Sequence, residues 1–259
     1  MKRYVRFLYD DKIKYGLLKE ESIEILNGKS FSEFVPSGQL IDRESVELLI
    51  PCTPEKIICS GLNYTDTILK NGASFPKKPL LFLKPPSAIV MSGEDIVKNE
   101  MVKVLTCEAE LGVVISKKAK DIKIEDAKDY IWGYIIANDV TASDLQIEDI
   151  QWTRAKSFDT FLPLGSEIVE GIDPDNLNIK AFINDKVVQD GNTKDMIFNT
   201  SYLISYASHI MTLNEGDIII TGTPGGYGKV IEDGDVVKIE LENLGNVINT
   251  VREVNTCCK

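Results

Sequence analysis

Glu108 and Glu110 stand one residue apart, Asp139 follows further along, and the chain offers a single histidine, His209, to compete with them as a ligand. Alternate side chains of a β-strand share a face. A strand over Glu108-Ala-Glu-Leu-Gly-Val-Val-Ile115 would therefore project both glutamates to one side and turn Ala109 and Leu111 to the other. A second β-like run, Trp132-Gly-Tyr-Ile-Ile-Ala-Asn138, ends at Asp139 and, as a neighbouring strand, would bring that aspartate beside the glutamates. Three carboxylates without imidazole or paired thiolates are an oxygen-only donor set. Such a set favours Mg²⁺ or Mn²⁺, with waters completing an octahedron, and disfavours zinc. Taken alone, Glu-x-Glu is also common on a solvated strand face, so the spacing by itself leaves both readings open.

A divalent cation on three carboxylates leaves a local charge of about −1, which repels an anionic ligand unless fixed positive charge stands nearby. Lys156 and Arg154, with Lys84, are the candidates for that charge. The segment Thr221-Gly-Thr-Pro-Gly-Gly226 follows the apolar strand Asp217-Ile-Ile-Ile-Thr221, and a glycine-rich exit of this kind lets backbone N–H groups approach an anion. It lacks the Gly-Lys-Ser/Thr ending of a phosphate loop. His209 follows Tyr202-Leu-Ile-Ser-Tyr-Ala-Ser on an expected amphipathic helix and reads as a packed or partly exposed helix residue. With no Gly-x-Ser-x-Gly elbow and that one histidine, a serine hydrolase is excluded.

The elements that must position these residues are mostly strands. Tyr4–Leu8, Lys12–Leu17 and Ser22–Leu26 predict a small N-terminal β-meander over residues 1–50, and Pro51 and Pro54 mark the boundary to a catalytic domain over 51–259. Asn184-Asp185 between the apolar runs 177–183 and 186–189 predicts a two-residue hairpin, and 235–242 with 246–254 predicts another pair. Helices are expected at Thr65–Asn71, stopped by Gly72, and at Ile124–Tyr130, Ala142–Gln151 and Ser201–Met211. The class is α+β, rich in β.

With 259 residues, 43% hydrophobic and 27% charged, the chain can bury a large core. A net charge of −11 argues against a general nucleic-acid or membrane-surface binder. No stretch reaches the ~20 apolar residues of a membrane span, and Met1-Lys-Arg-Tyr-Val lacks a signal-peptide core, so a cytoplasmic location is expected. Cys52, Cys59, Cys107, Cys257 and Cys258 show no Cys-x-x-Cys spacing and read as reduced thiols, the last two in a fraying tail.

Six segments in order carry a resemblance to a known family: Cys59-Ser-Gly-Leu-Asn-Tyr64, Leu81-Phe-Leu-Lys-Pro-Pro-Ser87, Glu108-Ala-Glu110, Ala137-Asn-Asp-Val-Thr141 with Asp144-Leu-Gln146, Arg154-Ala-Lys-Ser-Phe-Asp-Thr160, and Thr221-Gly-Thr-Pro224. From about residue 56 to about residue 254 the chain resembles the fumarylacetoacetate hydrolase family. The resemblance implies a mixed β-sandwich roll of the fumarylacetoacetase C-terminal-domain type, usually a homodimer. Glu108, Glu110 and Asp139 would hold the metal, Lys156 and Gln146 would line the substrate site in catalytic roles, and Thr223 would contact the substrate carboxylate, with Arg154 and Lys84 as further anion-binding residues. Hydrolytic members carry a histidine shortly after the Asn-Tyr motif and a glutamate three residues beyond it, where this chain has Thr67 and Lys70. Neither replacement serves readily as a general base near neutral pH.

A 2-oxo acid suits the constellation, because its carboxylate and 2-oxo oxygens can chelate one cation and so favour an enolate at C3. The expected activity is that of an isomerase or tautomerase similar to the 2-hydroxyhepta-2,4-diene-1,7-dioate isomerases, on a small anionic 2-oxo acid or its enol. Acylpyruvate-type C–C hydrolysis, oxaloacetate decarboxylation and sugar-acid dehydration pass through related species and stay open. So does a metal- and ligand-binding paralogue without turnover. The segment Asn63–Phe75 is expected to act as a lid that shields the site from water.

Overall fold

The carboxylate-bearing run and the run that ends beside Asp139 form the paired strands Ala109–Ile115 and Ile131–Asn138 at the centre of a computed structural model that describes residues 1–70, 72, 74–225 and 228–254. Their near-continuous apolarity has a direct cause, since both faces of this pair are covered. Ala109, Leu111 and Val113 enter one buried cluster with Ile179, Ile239 and Leu203, while Val114, Ile135 and Ala137 enter another with Ile57, Ile218 and Leu164. A strand sealed on both sides has no polar face to show, which is why alternation is weak in this part of the sequence.

The pair lies within a 13-stranded sheet. On one side, Ala109–Ile115 pairs with Ile218–Ile220, which runs parallel to Ile57–Gly61, and Leu80–Lys84 follows at the edge. On the other side, Ile131–Asn138 meets Glu167–Glu170 and, beyond it, the meander Lys2–Tyr9, Lys12–Leu18, Ser22–Asn27 and Val35–Asp42. A five-stranded sheet covers one face, and it contains both hairpins predicted from sequence, Asn178–Ile183 with Lys186–Asn192 and Val236–Leu241 with Gly245–Val254. Asn184 and Asp185 sit at φ of 49° and 64°, the left-handed pair that a two-residue turn between right-twisted strands requires. A three-stranded sheet of Leu105–Cys107, Thr141–Ala142 and Lys229–Ile231 closes one side of the carboxylate site.

Helices are few, as expected, and shorter than the sequence implied. Thr65–Lys70 and Thr200–Ile210 fall close to their predicted places, the latter capped by the Asn199 side chain accepting from Tyr202 N–H at 3.0 Å. Ile124–Tyr130 forms the tighter 3-10 winding. The expected helix over 142–151 is cut short to Ser143–Glu148, because Asp149 takes an extended backbone conformation, and a separate short helix, Thr153–Lys156, lies beyond the expected bounds. Among the described residues no helix is long and apolar enough to cross a membrane. Cys257 and Cys258 lie outside the described residues, and Cys52, Cys59 and Cys107 are buried free thiols.

The meander is sewn to the central sheet by aromatic packing as well as by backbone pairing. Trp132 stacks on Phe31 with ring centroids 3.5 Å apart, and Tyr4, Tyr15 and Phe34 surround it. Trp132→Ala should therefore destabilise the fold by about 3–5 kcal/mol, the usual loss for a buried aromatic. Urea unfolding followed by circular dichroism reads this directly, and an unchanged midpoint would show that the cluster does not hold the meander in place.

Candidate metal centre

Strand register brings the three carboxylates together. Ala109 lies opposite Asn138 and Glu110 opposite Ala137 across the antiparallel pair, so Glu108 falls opposite Asp139, and the Asp139 N–H donates to Glu108 O at 2.9 Å. Directly opposed residues project to the same face. Glu108, Glu110 and Asp139 consequently offer carboxylate oxygens all within 4.8 Å of one another. Asn138 fixes the turn into this arrangement through its side-chain oxygen, which accepts from Glu108 N–H at 3.0 Å.

Two lysines meet the cluster from outside the pair. Lys156, at the end of the helix Thr153–Lys156, donates to Asp139 Oδ2 at 2.6 Å and to Glu108 Oε2 at 2.9 Å. Lys84, at the end of its strand, donates to Asp139 Oδ1 at 2.6 Å and to Val140 O at 3.0 Å. Glu110 has neither lysine; the Gly222 N–H donates to its Oε2 at 2.6 Å. Gly222 holds φ at 97°, and a Cβ there would stand 2.9 Å from Ser60 O, so both conformation and closeness demand glycine.

The electrostatics follow from this division. Burial drives Glu110 far above the ordinary carboxylate range, and the neighbouring Asp139 and Glu108 push it the same way. Burial also raises Glu108, partly offset by Lys156. Asp139 feels the same desolvation, but Lys156 and Lys84 outweigh it and hold its carboxyl below the ordinary value. Burial lowers Lys84 despite Asp139, whereas for Lys156 the attraction of Asp139 and Glu108 overcomes burial and keeps the ammonium charged. Three buried carboxyl groups facing two ammonium groups would, all ionised, carry an excess of negative charge, which the rise of Glu110 reflects. A hard divalent cation relieves that excess, and the oxygen-only donor set fits one.

A cavity of about 530 Å³ opens onto the cluster. Glu108, Glu110, Asp139, Lys156, Gln146, Thr223 and Thr67 all line it, together with Phe82, Trp152 and Val104. Two expected substrate-binding residues do not. Arg154 lies two residues before Lys156 on the same helical turn and therefore faces away; it grips Asp149 in a bidentate pair at 2.7 and 2.8 Å on the surface. Lys84 sits behind the carboxylates, 1% exposed, and acts on Asp139 rather than on the cavity. The Thr223 hydroxyl donates to Ala109 O at 2.8 Å and accepts from Gln189, so a carboxylate could take its hydrogen only in place of Ala109 O. His209 is remote, its Nδ1 2.8 Å from Ser205 O.

Comparison with known proteins agrees with this construction. Residues 56–252 match the family described as fumarylacetoacetate (FAA) hydrolase C-terminal, and residues 2–51 match the Rv2993c-like N-terminal family. The chain belongs to the fumarylacetoacetate hydrolase family. It is 43% identical to the mitochondrial oxaloacetate tautomerase fahd2 of Xenopus laevis over 82% of this chain and 70% of that one. The crystal structure of 2-hydroxyhepta-2,4-diene-1,7-dioate isomerase from Mycobacterium marinum superposes with a TM-score of 0.89 at 35% identity, covering 98% of this chain and 99% of that one. Fumarylpyruvate hydrolase from Pseudomonas aeruginosa, solved with Mn²⁺ and pyruvate, gives a TM-score of 0.74 at 26% identity over 80% of this chain and 92% of that one.

Where hydrolytic members of the fumarylacetoacetate hydrolase family carry their histidine and glutamate, this chain uses the helix Thr65–Lys70 to grip the glycine-rich segment. Thr67 donates to Thr223 O at 3.2 Å, Lys70 to Gly225 O at 3.1 Å, and Asp66 accepts from Gly225 N–H at 2.6 Å. The expected lid over Asn63–Phe75 falls partly outside the described residues, at Asn71 and Ala73. The amides that organise the site leave little trace in the sequence. Asn63 holds Thr221 O and Phe198 O at 2.8 and 2.9 Å, and Gln189 and Asn138 meet backbone groups of the carboxylate strand. Of these, only Asn63 and Asn138 lay inside a recognisable motif.

Replacing Glu110 by Gln separates ligation from folding. Glu110→Gln removes a carboxyl buried among like charges and retains an oxygen for Gly222 N–H, so the metal-free variant should melt at or above the wild-type temperature. Mn²⁺ at a hundred times its dissociation constant should stabilise the wild type by about 2.7 kcal/mol and the variant by almost nothing. Calorimetry with and without Mn²⁺ measures both, and full Mn²⁺ stabilisation of Glu110→Gln would remove Glu110 from the ligand set.

Proposed function

We propose that this chain is a divalent-metal-dependent tautomerase or isomerase of a small 2-oxo acid, with Glu108, Glu110 and Asp139 holding Mg²⁺ or Mn²⁺. The observation that carries this reading is the chemistry of the cavity wall. Among its described residues the only titratable groups are the three carboxylates and Lys156, and the family's water-activating pair is replaced by Thr67 and Lys70. A bound divalent cation supplies Lewis acidity to the 2-oxo oxygen, which makes the neighbouring C3–H bond more acidic. Asp139 and Glu108 favour the charged form of Lys156 against burial, so its ammonium would offset negative charge at the site. Two of its N–H groups are spent on Asp139 and Glu108, leaving the third for an oxygen of a bound anion. Gln146 offers a neutral donor and acceptor on the same wall.

Phe82, Trp152 and Val104 form an apolar flank beside these groups and limit water at the reacting carbon. Proton relocation between carbon and oxygen consumes no water, so it does not require the histidine and glutamate that this chain replaces by Thr67 and Lys70. Two of the three relatives compared above support this reading, one an oxaloacetate tautomerase and another a 2-hydroxyhepta-2,4-diene-1,7-dioate isomerase, while the third is a fumarylpyruvate hydrolase. Oxaloacetate is thus the first substrate to test.

With Mg²⁺ or Mn²⁺ present, the purified protein should speed the ketonisation of enol-oxaloacetate, followed by its ultraviolet absorbance, well beyond any release of pyruvate from acylpyruvates. Efficient acylpyruvate cleavage would overturn the tautomerase reading, and turnover of no 2-oxo acid at all would make the chain a binding protein. Lys156→Met should reduce kcat/KM by tenfold or more, the loss of a charge-assisted hydrogen bond of ~1.5–3 kcal/mol. Unaltered kinetics in that variant would leave Lys156 with a purely structural role.

A further inference from the structure

Ala109, the residue between the two glutamates, lacks a strand partner on one side. The neighbouring strand Ile218–Ile220 pairs only with Gly112–Val114, and at Gly222 the backbone turns away with φ of 97°. The exposed ladder groups of Ala109 are taken instead by two side chains. Its N–H donates to Gln189 Oε1 at 3.0 Å, and its carbonyl accepts from the Thr223 hydroxyl at 2.8 Å. The two side chains also join each other, Gln189 Nε2 donating to Thr223 Oγ1 at 3.0 Å, and the second Nε2 hydrogen goes to Pro224 O at 2.9 Å. The result is a closed ring through Ala109, Gln189 and Thr223.

Gln189 comes from the covering five-stranded sheet, on Lys186–Asn192, and is only 2% exposed. Two residues on, Gly191 makes room for Pro224, whose ring carbon would stand 2.5 Å from a Cβ there. One strand thus holds both the backbone between the metal-facing glutamates and the loop whose Gly222 N–H donates to Glu110. We infer that Gln189 is a positioning residue that sets the spacing of Glu108 and Glu110 against the Gly222–Pro224 segment and so tunes the cation site. The inference rests on the triad being that site. A primary amide suits the place because it presents one acceptor and two donors in a fixed plane, and all three are used. Outer-sphere partners of this kind typically alter metal affinity by about 10–100-fold when removed.

The test is the Mn²⁺ dissociation constant, measured by titration calorimetry on full-length proteins below their melting temperatures. Gln189→Met should weaken Mn²⁺ binding at least tenfold. Asn249→Leu is the control for loss of a buried amide, since Asn249 lies on the same sheet and bonds Met91 O and Glu94 O away from the cavity; its Mn²⁺ affinity should equal the wild type. Thr223→Val opens the same ring at another corner. It should weaken binding similarly, and the double variant should lose little more than either single one. If Gln189→Met does not fold, Thr223→Val carries the test alone. Wild-type affinity in the ring variants, or an equal loss in Asn249→Leu, overturns the role of Gln189. A wild-type protein that binds no Mn²⁺ overturns the metal assignment itself.

Discussion

Crowding three carboxylates into a dehydrated corner is unfavourable, and the architecture around them is best understood as the set of interactions that makes it tolerable. Charges at such separations interact strongly where water is excluded, and each loses hydration on burial. The chain answers unequally. Asp139 receives both lysines, Glu108 shares one of them, and Glu110 receives a backbone N–H. The carboxylate with the least compensation, Glu110, is the one that burial pushes furthest from its ordinary state, which marks where an added positive charge stabilises most.

Holding the cluster requires a rigid frame, and the sheet supplies it. Because the paired strands are packed on both faces, a slip of one residue would turn Glu108 and Glu110 into the apolar cluster around Ala109 and Leu111. Burial therefore fixes the register, and the register fixes the geometry of the three carboxylates. Side-chain amides finish the work where the ladder stops, at Asn138 for Glu108 and at Asn63 for the exit of the strand Ile218–Ile220. The lysines arrive from the ends of short elements, where the chain can bend to reach inward.

Much of this was readable before the structure. The same-face placement of Glu108 and Glu110 follows from strand period alone, and Asn184-Asp185 declared its hairpin through residues that tolerate left-handed backbone. Lys156 and Gln146 both line the cavity. Arg154 did not, because its direction depends on a helix break at Asp149 that no local pattern announces, and a carboxylate five residues away captured it. Lys84 was recognised as important but not as buried behind Asp139. The amides escaped notice since a single Gln or Asn partnered with backbone leaves no periodic trace. The pairing of Lys2–Tyr9 with Glu167–Glu170 joins distant parts of the chain, a contact that neither propensity nor motif encodes.

The balance of charge in the cavity has a thermodynamic corollary. With all three carboxylates ionised against two ammonium groups the site would be mildly anionic, and a bound dication would reverse its sign. On the proposed reading an organic anion would meet repulsion before the cation and attraction after it. Reciprocity then requires that a seated organic anion would raise the affinity for the cation by the same free energy that the cation lends to the anion. Each ligand would then tighten the other, and the cluster would hold a cation most firmly where a fitting organic anion is abundant.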